Sequence, residues 1–119
     1  MIAVIFEFWP TTEGTAEYFE LAAQLRVELE KIDGFVSIER FESVTEKGKY
    51  VSLSFWRDEA AVEQWRNLES HRSAQARGRA GVFANYRLRV ASVLRDYGKK
   101  ERAEAPADSR ERHESGGKR

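Results

Sequence analysis

The sequence predicts an α+β domain in βαββαβ order, its four strands forming one antiparallel sheet with both helices on one face. Three observations carry this prediction. A β-branched and aromatic run near the N-terminus, IAVIFEF, stops at Pro10, and apolar residues then recur at helical spacing. Two further strand-like runs, FVSIERFESV and KYVSLSFW, are separated by the short Gly-containing loop TEKGK, which implies a hairpin. A second helical segment then leads to a last alternating run, YRLRVASVLRDY.

Each element has its own warrant. The first strand covers about Ile2 to Phe8, and Pro10, which has no N–H to donate, ends it. In the first helix Tyr18, Leu21, Ala22, Leu25, Leu29 and Ile32 form a single apolar stripe. Glu17 suits the helix dipole near its start, and Gly34 suits a left-handed residue just past its end. In the third strand Val51, Leu53 and Phe55 alternate with Tyr50, Ser52, Ser54 and Trp56, so both faces carry large side chains. Asp58 is placed to cap the second helix, EAAVEQWRNL, which continues through ESHRSAQARGR and loosens at Gly78 and Gly81. The last strand sets Tyr86, Leu88, Val90, Ser92 and Leu94 on one face and Arg87, Arg89, Ala91, Val93 and Arg95 on the other. The order is ferredoxin-like. Its uncovered sheet face would expose a large apolar patch, so a two-fold homodimer with sheets face to face is expected.

The aromatic residues all precede residue 98. The folded domain is therefore expected at 1–97, and 98–119 reads as a charged, low-complexity tail whose composition favours disorder. Lys and Arg total 20, as do Asp and Glu, so the net charge is zero and the chain has no global electrostatic reason to seek nucleic acid or an anionic membrane. No cysteine is present, which excludes a disulfide framework, a thiolate metal site and a cysteine nucleophile. With one His in the folded part, a multi-ligand metal site is not expected. MIAVIFEFWP is too short to span a bilayer and lacks the features of a signal peptide, so a soluble cytoplasmic protein is expected.

The succession IDGFVSIERF, YVSLSFWRDEAAVEQWRNLESHRSAQ and YRLRVASV resembles the antibiotic biosynthesis monooxygenase (ABM) domain over about residues 1–97. In that family an aromatic residue or His commonly occupies the Trp65 position, and a His often occupies that of His71. The resemblance implies a dimeric α+β barrel with a pocket in each subunit between sheet and helices. It also implies oxygenation of small aromatic phenols or quinols without metal or flavin. Related members bind or degrade haem, and their iron-binding His would fall on Gln75. Gln is a poor iron ligand, which argues against haem degradation unless His71 substitutes from one turn earlier. No cofactor is therefore expected. A non-catalytic module that holds a small molecule or haem is the alternative.

Within that frame, His71, Trp65 and Gln75 are the catalytic candidates. His71 and Gln75 share a helical face, where the imidazole can accept a phenolic proton and the amide can hold the oxyanion. The competing reading of His71 is a surface residue among Arg66, Glu69 and Arg72. Trp56 and Trp65 are either core or aromatic walls for a flat ligand. Glu7, the sole charge in its strand, is either a buried base with a raised pKa or the partner of an arginine such as Arg87 or Arg89. Arg79, with Arg77 beside flexible glycines, is either an anion clamp or a solvated turn. Trp56, Glu7 and Arg79 are accordingly the substrate-binding candidates.

Overall fold

The computed structural model describes residues 1–75 and 83–109, with the backbone alone for 69–75. The elements run β1 (Ile2–Pro10), α1 (Thr15–Leu29), β2 (Phe35–Glu42), β3 (Tyr50–Trp56), α2 (Glu59–Gln75) and β4 (Phe83–Ser92). The strands form one four-stranded sheet in the order β2-β3-β1-β4, antiparallel at every pairing. This is the ferredoxin-like topology that the sequence predicts.

Boundaries differ where pairing, which the sequence pattern does not display, sets them. A register shift at Trp9/Pro10 lets Pro10 stay in β1 opposite Phe83, a position where its missing N–H is tolerated. The same pairing starts β4 at Phe83, ahead of the alternating run. β4 stops at Ser92 because Ser92 already faces Ile2, the first residue of β1. Beyond it the Val93 N–H donates to the Met1 carbonyl at 2.9 Å, and the expected extension to Tyr97 has no further β1 residue to pair with.

The helix ends follow local chemistry. Ahead of α1, the Thr11 hydroxyl accepts from the Gly14 N–H and the Thr15 hydroxyl donates to the Thr11 carbonyl. Asp58 caps α2 as predicted, accepting from the Ala61 N–H at 2.9 Å. That backbone bond, and then the Arg57 guanidinium, hold the Asp58 carboxyl below its ordinary range. Gly34 lies between these features with φ +97°, and a Cβ there would come within 2.8 Å of the Ala61 Cβ. No other residue type fits that approach without displacement.

Both helices pack on one face of the sheet. Val4, Ile38 and Trp56 meet Leu29 of α1 and Ala61 and Val62 of α2 in one core cluster. Phe8 meets Tyr18 and Ala22 of α1 in a second. Phe8, Leu29 and Val4 are fully buried, each contributing about 1.5–3 kcal/mol. The register then assigns the rest: Phe6, Tyr50, Ser52 and Ser54 point toward the helices, and Ile5, Glu7, Val51, Leu53 and Phe55 point away.

Candidate functional site

On the helix side, β3 ends in Trp56, which is 0% exposed. Its indole N–H donates to the Ser54 hydroxyl at 2.9 Å, so its polar atom is satisfied within the core. Trp65 of α2 lies over it with ring centroids 5.9 Å apart and is itself half-buried. Of the two tryptophans, then, Trp65 is the one with surface to offer a ligand, and Trp56 is the packing beneath it.

The β1–β4 half of this side is aromatic. Phe8 stands 4.5 Å from Tyr18, 5.6 Å from Tyr50 and 5.7 Å from Phe83 by ring centroid. Phe6 continues the surface toward Phe83 and Tyr86 at 5.6 and 5.7 Å. Tyr86, Leu88 and Val90 share this face through their pairing with Phe8, Phe6 and Val4, yet they are 60%, 47% and 48% exposed. An apolar, aromatic-lined surface is therefore presented on the side where the helices lie, the kind of wall that small organic ligands bind. Toward the other edge, Arg40 of β2 donates from Nε to the Tyr18 hydroxyl at 3.2 Å, with its guanidinium 5.8 Å from the Tyr18 ring centroid. Sequence reasoning placed Tyr18 only in the core stripe and passed over Arg40. The available signal was phase: Arg40 is two residues from Ile38 and opposite Ser52, hence on the core side of its strand.

Glu7 is on the opposite face. Lys49 reaches its carboxylate at 2.9 Å, and Arg89 forms a second ion pair with it. Lys49 first, and then Arg89, hold the carboxyl below its usual range. The raised-pKa base considered for Glu7 is thus replaced by the paired carboxylate, because two cations stabilise its charged form. Trp9 joins this group, with the Lys49 ammonium 5.0 Å from its ring centroid and its indole N–H donating to Glu46 at 2.5 Å. An open hollow of about 270 Å³ beside them is lined by Ile5, Glu7, Phe41, Lys49 and Val51 among others. Glu7 and the Trp56–Trp65 pair are separated by the sheet, so the fold does not gather the described sequence candidates into a single site.

The helical backbone of α2 extends through His71 and Gln75, which places them one turn apart; their side chains lie outside the described residues. Arg79 also lies outside them. Among the described residues, no group of three or more His, Asp or Glu side chains is arranged to hold a metal ion. Among the same residues, no helix is long and apolar enough to cross a membrane.

A family model described as antibiotic biosynthesis monooxygenase matches residues 1–77. The chain belongs to the ABM family. Over 93 residues the ABM domain is 45% identical to the jasmonate monooxygenase ABM of Pyricularia oryzae, a stretch that is 78% of this chain and 43% of that protein. The chain thus spans less than half the length of that relative. Among solved structures, SnoaB of Streptomyces nogalater, a cofactor-independent oxygenase, superposes with TM-score 0.64 at 14% identity, covering 80% of this chain and 94% of that one. A variant of MhuD with two manganese protoporphyrin IX bound per active site superposes with TM-score 0.60 at 18% identity, covering 82% and 99%. At these identities the two structures share the fold with the ABM domain.

Proposed function

We propose that this ABM domain is a monooxygenase that oxidises a small ring compound, phenolic, quinolic or a related alicyclic acid, with O2, and that it works as a homodimer. The observation that carries this reading is the aromatic surface on the helix side, where the half-buried Phe6, Tyr50 and Phe83 and the exposed Tyr86 surround the buried Phe8 and Tyr18. A flat or ring-shaped substrate stacks on such a wall, and Trp65 offers a further aromatic surface on the same side. The 45% identity to a jasmonate monooxygenase supports oxygen chemistry, and it extends the expected ring class beyond phenols.

In this mechanism His71 accepts the acidic proton of the bound substrate, and Gln75, one turn on, donates a hydrogen bond to the resulting oxyanion. The electron-rich carbon then forms a bond to O2. For a reacting CH2, one oxygen atom remains as a carbonyl and the other leaves as water with the two displaced hydrogens, so no external reductant is needed. The domain supplies orientation and water exclusion. The reading is cofactor-free. MhuD shares only the fold with this chain, and Gln75 stands where the resemblance puts the iron ligand of the haem branch.

The dimer in this reading covers the face of Ile5, Val51, Leu53, Phe55 and Phe41, with the Glu7–Lys49–Arg89 group inside the contact, and the catalytic domain of this reading spans residues 1–97. Oxygen uptake with a panel of anthrones, quinols and alicyclic acids tests the activity. Uptake with a panel member, loss of it in His71→Ala, and one labelled oxygen atom in the product are the expected results. Saturable ligand binding with no oxygen uptake would show a binding module instead, and a haem titration giving a Soret shift that depends on His71 would overturn the cofactor-free reading.

A further inference from the structure

The helix side of the sheet is apolar or weakly polar at nearly every strand position. β1 contributes Val4, Phe6 and Phe8, β3 contributes Tyr50, Ser52, Ser54 and Trp56, and β4 contributes Tyr86, Leu88, Val90 and Ser92. Arg40 is the sole cation there among the described strand residues. It occupies one lateral row with Ser52, Phe6 and Leu88, so Ser52 is the one strand position between it and Phe6. Arg40 is half-buried. Among the described residues, no carboxylate forms an ion pair with it, whereas Arg26, Lys49, Arg57 and Arg89 are all paired. Glu42, which follows on the same side of β2, is exposed and accepts from the Gly48 N–H.

A half-buried guanidinium without a counter-ion loses part of its hydration and gains no partner in exchange. Tyr18 orients it: the Nε–H is engaged by the phenol oxygen, which leaves the two terminal nitrogens as the remaining donors. That planar pair matches a carboxylate in bidentate geometry. We propose that Arg40 is the anion-recognition residue of the helix-side site, binding the carboxylate of a substrate whose ring lies against the half-buried Tyr50 and Phe6. The assignment rests on the function proposed above and narrows its substrate class to ring compounds that carry a carboxylate. Tyr18 is a positioning residue, acting through Arg40.

The test measures binding of jasmonate and of its methyl ester, a neutral near-isostere, to the full chain by calorimetry. The wild type is expected to prefer the acid by about tenfold to a hundredfold, the usual worth of a charge-assisted hydrogen bond. Arg40→Gln should abolish the preference by weakening the acid alone, leaving the ester affinity and the melting temperature near those of the wild type. Tyr18→Phe should reduce the preference partially. Equal affinity for acid and ester in the wild type, or a preference that survives Arg40→Gln, overturns the assignment while leaving the oxygenase reading intact. Failure of both probes to bind overturns the alicyclic-acid reading and the assignment with it.

Discussion

Replacing Gly34 by Ala should destabilise the domain by about 2–5 kcal/mol. Two independent costs produce this. The backbone has φ +97°, a region that costs a residue with a Cβ roughly 1–2 kcal/mol. The new methyl would also stand 2.8 Å from the Ala61 Cβ, and relieving such overpacking costs about 1–3 kcal/mol. Relief is hard here because the Gly34 carbonyl accepts from the Arg57 N–H at 2.7 Å, which ties the loop to the start of α2. Gly48 is the control, with φ +89° and nothing within 4 Å of its would-be Cβ; Gly48→Ala should cost only the backbone part, about 1–2 kcal/mol. Urea denaturation of both variants against the wild type measures the difference directly. If Gly34→Ala proves no more costly than Gly48→Ala, the close approach of the α1–β2 loop to α2 is not a constraint, and the reasoning fails.

Other outcomes follow from the same contacts. Trp56→Phe should lose about 2–3 kcal/mol by calorimetry, since it removes buried volume and the bond to Ser54. Trp65→Phe should keep most of the stability and instead lower oxygen uptake or ligand affinity. Glu7 has a lowered pKa in the fold, so its contribution is present above the ordinary carboxylate pKa and is lost as pH falls through the lowered value; Glu7→Gln should therefore flatten the melting temperature against pH below about pH 5. Arg102 donates to the Gly98 and Ser109 carbonyls and the Ser109 hydroxyl and lies 5.1 Å from the Tyr97 ring centroid. Arg102→Ala should accelerate proteolysis within residues 98–109 and leave the melting transition of the domain unchanged.

Much of the architecture was legible along the chain because the hydrophobic period differs between helix and strand. The stripe from Tyr18 to Leu29 and the alternation from Tyr50 to Trp56 name their own structures, and Asp58 marks the start of α2 through local chemistry, whereas α1 ends at Leu29 with Glu30 as its cap and Gly34 takes its positive φ in the loop beyond. Element ends were less legible. Pro10 and Phe83 belong to strands because each faces the other, and β4 terminates where β1 begins. The site was legible only in part. The exposure of Trp65 above the burial of Trp56 could not be read from two tryptophans nine residues apart.

The order of elements, the antiparallel hairpin and the identity of the core stripes were determined by the sequence alone, since each depends on residues within one or two turns or on alternation within a strand. Which charges pair was decided by the tertiary structure. Glu7 meets Lys49 and Arg89 only because β1 lies between β3 and β4, and Arg40 meets Tyr18 only because α1 crosses that end of the sheet. Coulomb and hydrogen-bond energies depend on distances of a few ångströms, and residues far apart in the chain reach such distances only when the sheet order brings them there.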